Sequence, residues 1–182
     1  ELLKLMKRAG WKYITIAPES GSFRTLKRMN KSIDPKLVPK KVEEIKNSGL
    51  KAIGFFIVGF PDETIKDIKD TIKLIRRCKF DLFFLFNFQP LPGTAIYEEL
   101  LKKREIALNF LPEQYSSGNI SYIPEELKKI NFSILRLKEY LYLIIRNPSS
   151  IKLLVRYYNL SDTAGMLLSN FKNILKLNKV ML

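Results

Sequence analysis

The chain has 182 residues, of which 46% are apolar and 27% charged, an ordinary globular composition that excludes a disordered or collagen-like chain. It contains no histidine and one cysteine, Cys78. These counts exclude Ser-His-Asp catalysis, histidine metal sites, internal disulfides and any cysteine-ligated cluster built from this chain alone. The net charge of +14, from 32 Lys and Arg against 18 Asp and Glu, allows contact with nucleic acid or an anionic membrane but indicates neither.

The start of the chain and its hydropathy predict a cytoplasmic fragment of a longer protein. No apolar run reaches the ~18 residues that cross a bilayer, and residues 1–4 lack the shape of a signal peptide. The chain starts inside an amphipathic helical pattern that ends at Gly10, with no initiator methionine before it. We therefore expect an N-terminal half of the same chain before this segment.

The first predicted strand-helix unit begins with residues 12–17, a β-branched and aromatic run that predicts a strand. The polar turn 18–22 follows, and residues 23–33 predict a short helix and a loop. Asp34, followed by a proline, is typical of a helix start, and Gly49 ends this helix.

Two further units repeat this pattern. Residues 51–59 predict an apolar strand, and a capping-box-like sequence at Thr64 begins a helix that runs to about Cys78. Residues 80–88 are apolar at nearly every position, which predicts a strand covered on both faces. A Pro-Gly-Thr turn at 92–94 then leads into a third helix. Three consecutive strand-helix units predict a parallel sheet.

The character of the sequence changes after residue 106. Residues 107–123 are loop-like and predict a linker, and residues 124–182 predict an extension of three helices. The first begins at Pro124 and is stopped by Asn147-Pro148, and the others span about 149–159 and 162–177. The apolar face predicted for the first of them consists of Leu127, Ile130, Ile134, Leu137, Leu141 and Ile144. The predicted fold class is therefore α/β, with a partial TIM-like barrel of three parallel strand-helix units in residues 1–106 and an all-α C-terminal extension.

Chemistry is expected at the carboxyl ends of the strands, because the loops there build the sites of parallel α/β folds. Glu19 emerges in the first turn as a ligand for amine or hydroxyl groups, or only caps that turn. Gly59 in the second turn lets the backbone approach a ligand; a structural glycine with φ below zero would instead accept alanine at little cost. The third end, residues 87–94, offers an amide and a rigid backbone for an aromatic base, or is a plain Pro-Gly turn.

Together these strand ends resemble the second half of the core of a radical S-adenosylmethionine (SAM) enzyme. The resemblance covers residues 1 to about 106 and depends on the order of four motifs: Glu19-Ser20-Gly21-Ser22, Met29-Asn30-Lys31, Gly59-Phe60-Pro61-Asp62-Glu63-Thr64 and Pro90-Leu91-Pro92-Gly93-Thr94. The subgroup that it resembles often carries a cobalamin-binding domain upstream and includes methylthiotransferases. In that family a partial barrel holds a 4Fe-4S cluster and SAM, and SAM is split into methionine and a 5'-deoxyadenosyl radical.

The resemblance implies that five residues bind SAM. Glu19 and Ser22 would lie near its methionine or ribose part, Ile57 and Gly59 would line the adenine, and Leu91 would close over the base. Substrate contacts are implied for three further residues: Gln89, Asn30 and Lys31.

The resemblance also implies what this chain lacks. The cluster-binding cysteines of the family would lie before Glu1, so no metal ligand is expected here and the chain would be inactive alone. Its implied partners are the missing N-terminal half, a reducing electron donor and an unidentified substrate. Cys78 is expected to be a small buried thiol, and Asp62 stands where relatives more often have glycine, which leaves the geometry of that turn open.

Two other functions stay open at this point. One is a non-catalytic α/β module whose basic helical tail binds RNA or an anionic membrane. The other is a cofactor-free barrel enzyme that uses carboxylates such as Glu19 and Glu63. Three upstream cysteines at four- and three-residue steps would favour the radical enzyme over both.

Overall fold

The structure, a computed structural model, describes residues 1–107 and 120–157 around a sheet of three parallel strands. The strands are β1 (Tyr13–Glu19), β2 (Lys51–Val58) and β3 (Leu82–Asn87), with β2 in the centre. The helices are α1 (Leu2–Arg8), α2 (Phe23–Arg28), α3 (Val38–Asn47), α4 (Ile65–Cys78), α5 (Ala95–Lys102), α6 (Phe132–Arg146) and α7 (Ser150–Tyr157). This confirms the α/β class with strand-helix alternation and C-terminal helices, and it is consistent with part of a TIM-like barrel.

The two faces of the sheet are packed differently. In β2, Phe56 and Val58 are fully buried, whereas the alternate residues Phe55 and Ile57 are half-buried. Gly54 explains how the buried face closes, because a Cβ there would lie 2.8 Å from the Phe56 ring. The missing side chain makes room for large aromatic rings beside the strand. The opposite face stays partly open.

Helix α3 begins later than the sequence predicts. Asp34 was expected to cap it, but Asp34 instead closes a turn in which its Oδ1 accepts the Lys36 N–H at 2.8 Å, and the helix starts at Val38. The reason is Pro39, which has no N–H to donate to the carbonyl of Pro35 and whose ring would clash with it in a continuous helix. Pro39 is tolerated only in the first turn.

The first helix of the C-terminal extension also begins later than predicted. The chain from Pro124 forms a single 3-10 turn at Glu125–Leu127, in which the Leu127 N–H bonds to the Pro124 carbonyl at 2.9 Å. Helix α6 then begins with Asn131 as its cap, whose side chain accepts the Ile134 N–H at 3.0 Å. The predicted end, just before Asn147, is confirmed.

The buried face of α6 differs in part from the predicted one. Leu137 is buried as expected, but Leu141 is 47% exposed and Tyr140 is buried in its place. Apolar residues occur on every side of this helix, so periodicity alone does not select one face. Packing selects it, because the Tyr140 ring stacks on Phe83 of β3 with centroids 5.2 Å apart.

The C-terminal helices share the core of the sheet. Leu127, Leu143 and Leu153 belong to the same buried cluster as the residues of β2 and β3. Part of the predicted linker, residues 108–119, and the helix predicted at 162–177 lie outside the described residues. Within the ranges that the structure describes, no helix is long and apolar enough to span a membrane.

An ion pair fastens α6 to α4. Arg76 donates through Nε and Nη2 to the two oxygens of Glu139 at 2.8 and 2.6 Å, and its guanidinium lies 4.7 Å from the centre of the Tyr142 ring. The two partners are unequally covered, since 45% of the Arg76 side chain is exposed but only 3% of the Glu139 side chain.

This inequality predicts unequal costs of removing each partner. We expect Arg76→Met to lower the free energy of unfolding by about 3 kcal/mol, because it leaves the buried Glu139 carboxylate without its partner. Glu139→Gln should lower it by about 1 kcal/mol. Urea unfolding measures both, with the exposed neighbour Arg77→Met as a control that should stay within about 0.5 kcal/mol of wild type. Equal losses at Arg76 and Glu139 would contradict the expectation.

Candidate functional site

The three parallel strands bring their carboxyl ends to one edge of the sheet, and β1 ends there in an irregular way. One extra residue of β1 lies between its pairs Ile16–Gly54 and Glu19–Phe56, which is a β-bulge. Glu19 itself has a φ of 64°, in the left-handed region that a residue with a Cβ rarely adopts. Bulges and left-handed residues re-aim side chains and are frequent at functional sites.

The side chain of Glu19 is largely covered at this edge. It is 14% exposed, and its carboxylate accepts a hydrogen bond from Lys31 Nζ at 3.1 Å. The structure therefore brings together one residue predicted to bind SAM and one predicted to contact substrate. Glu19 caps no helix, because Ser22 is the capping residue of α2.

The loop after β1 packs directly on α4. Ser20 Oγ lies 3.0 Å from Thr71 Oγ1, which also accepts the Gly21 N–H at 3.0 Å. A Cβ on Gly21 would lie 2.4 Å from the backbone oxygen of Asp70, so only glycine allows this approach. Ser22 is 5% exposed, and its hydroxyl donates to Asp67 Oδ1 at 2.5 Å rather than pointing to an open site.

The loop after β2 closes around a buried carboxyl that the sequence did not single out as structural. Glu63 is 1% exposed, and its Oε2 accepts the N–H groups of Gly59 at 2.6 Å and Phe60 at 3.3 Å. Among the described residues its Oε1 has no hydrogen-bond partner. Burial raises the pKa of Glu63 to about 7, although the two backbone N–H groups oppose this rise. In the sequence, the signal for this structural role was the position of Glu63, four residues after Gly59.

Gly59 and Asp62 both need the left-handed conformation. Gly59 has a φ of 78°, so alanine would be strained there whether or not a ligand is present. The premise of a structural glycine with φ below zero therefore does not hold. Asp62 has a φ of 65°, which explains why glycine suits this turn; aspartate is among the residues that tolerate it.

The loop after β3 lies beside the loop after β2. The Phe60 and Phe88 rings pack edge to face with centroids 4.8 Å apart. Leu91 is 50% exposed, as a residue that closes over a ligand needs to be. Thr94 donates to the Leu91 carbonyl at 2.7 Å and caps α5, so this turn is also ordered from within. Gln89 is half-buried.

The half-open face of the sheet presents aromatic rings below these loops. The Phe55 ring contacts the Phe84 and Phe86 rings edge to face, with centroids 5.3 and 5.7 Å apart. Phe86 is 37% exposed and pairs with Ile57 of β2. This apolar surface suits the planar or aliphatic part of a ligand.

Asn30 and Lys31, predicted as substrate contacts, lie just after α2. Asn30 is exposed with a φ of 55°, and both residues line an open cavity of about 410 Å³ together with Phe23 and Lys27. Phe23 is 55% exposed. The cavity combines an aromatic ring with two ammonium groups.

Cys78 lies away from this edge, at the last residue of α4. It is buried, and burial raises the pKa of its thiol to about 12, so it stays protonated at neutral pH. In the part of the chain that the structure describes, no group of three or more histidine, cysteine, aspartate or glutamate side chains is placed to hold a metal ion.

Comparison with known proteins identifies the family of this segment. The family model described as the Radical SAM superfamily matches residues 1–75, which confirms the resemblance drawn from the strand-end motifs. The matched range contains the loops after β1 and β2, whereas the loop after β3 lies beyond it.

Relatives with assigned names extend the comparison. An uncharacterized methyltransferase of Pyrococcus horikoshii is 36% identical over 98 residues, which cover 54% of this chain and 21% of that protein. A tRNA-2-methylthio-N(6)-dimethylallyladenosine synthase of Vibrio cholerae is 37% identical over 120 residues, 60% of this chain and 24% of that protein. The corresponding synthase of Anaplasma phagocytophilum is 28% identical over 144 residues, which cover 77% of this chain and 31% of that protein. The chain thus spans between a fifth and a third of these relatives.

The raised pKa of Glu63 predicts a specific pH dependence. Its folded pKa of about 7 exceeds the ordinary value of 4.5, so the folded state binds more protons between these pH values. The contribution of Glu63 to the free energy of unfolding is therefore fully present below pH 4.5 and is lost as pH rises through 7. For a shift of this size the loss is about 3 kcal/mol. Urea unfolding of wild type and Glu63→Gln at pH 5 and pH 8 measures it. The decline should be smaller in Glu63→Gln, and equal declines would contradict the assignment.

Proposed function

We propose that this chain forms the SAM-binding half of a radical SAM enzyme, with SAM bound at the carboxyl edge of the sheet. The observation that carries the proposal is Glu19, which a bulge and a left-handed φ of 64° place at the end of the strand, where its half-buried carboxylate already binds an ammonium group, that of Lys31. This residue lies inside the segment matched to the family, residues 1–75. A left-handed backbone at a residue other than glycine is frequent at ligand sites, which supports this position as part of the site.

The surroundings of Glu19 fit the chemistry of SAM. A carboxylate binds the ammonium of its methionine part or a ribose hydroxyl, and here Lys31 occupies that carboxylate. The half-open face beside Ile57 offers apolar contact to adenine, and exposed Leu91 closes it from the third loop. We propose that Ser22 acts through the shape of its loop, because its hydroxyl is bound to Asp67.

The residues of this chain do not fit an iron-sulfur cluster. Its one cysteine is buried with a protonated thiol, whereas such clusters are held by several thiolates. We therefore propose that the 4Fe-4S ligands lie in an N-terminal half of the protein, together with any cobalamin domain, and that an electron donor serves that half. In the complete protein, at a cytoplasmic location, SAM would be cleaved to methionine and a 5'-deoxyadenosyl radical that acts on the substrate.

For the substrate we propose only that it contacts three residues: Gln89, Asn30 and Lys31. The named relatives include a methyltransferase and synthases that act on tRNA, and they match this chain with similar identity, 36% and 37%. The matched segment is thus common to enzymes with different reactions, so it supports the shared SAM chemistry. A membrane-lying extension is disfavoured for α6, because that helix packs Phe132 and Tyr140 into the core of the sheet.

Binding measurements on the full-length protein, reconstituted without oxygen, test this proposal. Glu19→Ala should weaken SAM binding tenfold or more in isothermal titration, because a hydrogen bond to a charged group contributes ~1.5–3 kcal/mol. Glu19→Gln separates the two partners, since it should retain most affinity if the partner is a hydroxyl and little if it is the ammonium.

Exposed Glu43→Ala on α3 is the matched control and should bind like wild type. Unchanged affinity in Glu19→Ala would remove Glu19 from the site. A wild-type protein that neither binds nor reductively cleaves SAM would overturn the proposed function itself.

A further inference from the structure

A single buried carboxylate joins the two loops that face the proposed ligand. Asp67 in the first turn of α4 is 4% exposed. Its Oδ1 accepts the hydroxyl of Ser22 at 2.5 Å, and its Oδ2 accepts the Thr64 N–H at 2.9 Å and the Thr64 hydroxyl at 2.6 Å. The guanidinium of Arg24 also donates to Oδ2. Asp67 therefore bonds to the loop after β1 and to the loop after β2 at once.

Arg24 of α2 adds a second connection to the loop after β2. Its Nη2 donates not only to Asp67 but also to the backbone oxygen of Asp62, at 2.5 Å. Asp62 is one of the two left-handed residues of the second loop, and this contact holds its carbonyl. More than half of the Arg24 side chain, 54%, stays exposed, which means that packing does not hold it there.

Asp67 is charged in this network. Burial alone would raise the pKa of Asp67, but hydrogen bonds from Arg24, Ser22 and Thr64 outweigh burial and hold its pKa below the ordinary value. Hydrogen bonds to an ionised acceptor are about twice as strong as neutral ones. The cross-loop contacts are therefore strong enough to define geometry.

We infer that Asp67 is a positioning residue that latches the loop after β1 to the loop after β2 and so fixes Glu19 relative to Gly59. The inference rests on the proposed function, in which both loops contact SAM. Ser22 lies only three residues after Glu19, and Asp62 three after Gly59. Without Asp67 the loop after β1 would keep its bonds to Thr71 and the loop after β2 its bonds to Glu63, but Ser22 and Thr64 would lose their shared partner. Small displacements at a binding site cost affinity steeply.

Asp67→Asn in the full-length protein tests the latch, with Asp70→Asn as the matched control. Asp70 lies on the same helix, and its side chain pairs with two exposed lysines, Lys66 and Lys73. We expect Asp67→Asn to weaken SAM binding tenfold or more in protein that remains folded by circular dichroism, and Asp70→Asn to stay within twofold.

A second readout does not depend on SAM. Hydrogen exchange at the amides of Gly21 and Gly59 should accelerate in Asp67→Asn, although these amides bond to Thr71 and Glu63 and not to Asp67 itself. A role in folding alone would lower the unfolding midpoint without changing the affinity of the folded protein. That outcome, or unaltered exchange at both glycines, would overturn the inference.

Arg24→Gln supplies an independent variant should Asp67→Asn fail to fold. Its side chain is largely solvated, so the fold should survive, and SAM affinity should still fall several-fold. The double variant should lose less affinity than the sum of the two single losses, because both act on one contact. Wild-type-like binding in Arg24→Gln would overturn the latch, whereas a wild-type protein that does not bind SAM would overturn the proposed function instead.

Discussion

The close approach of the loop after β1 to helix α4 is the constraint on which the carboxyl edge depends. Gly21 lies so near the backbone of Asp70 that a Cβ would be 2.4 Å from its carbonyl oxygen. Only at this separation does Thr71 reach the Gly21 N–H and Asp67 reach Ser22. A missing side chain thus allows the polar contacts that order the loop, and these contacts decide where Glu19 emerges.

The loop after β2 is ordered by a buried side chain, whereas the loop after β1 depends on a missing one. Glu63 loses hydration, and among the described residues one of its oxygens has no partner, which costs free energy. Its other oxygen accepts two backbone N–H groups of the turn, those of Gly59 and Phe60. The loop is therefore held from inside by Glu63 and from the side by Arg24. Two left-handed residues, Gly59 and Asp62, are what such a tight turn requires.

Local signals in the sequence were enough to predict the strand-helix order and several helix ends. The Thr64–Asp67 capping box and the end of α4 at Cys78 follow from residues within one turn of each other, and the structure confirms them. The bond from Asp67 to Ser22 spans 45 positions, and no local pattern contains it. Errors occurred where two local signals competed, as with Pro39 against Asp34 in α3, and where apolar residues lay on every side of α6.

The C-terminal extension reaches the turn after β2 at Gly59. The direction that a Cβ on Gly59 would take leads to Phe132, 3.7 Å away, and to Pro124 at 4.0 Å. The turn after β2 is therefore enclosed by Glu63 on one side and by the start of α6 on another. Because Arg76 and Glu139 fasten α6 to α4 as well, the helix that carries Asp67 and the helix that covers Gly59 are fixed to each other. Through Asp67 the loop after β1 is bonded to that same helix, so the positions of both loops are set relative to α4.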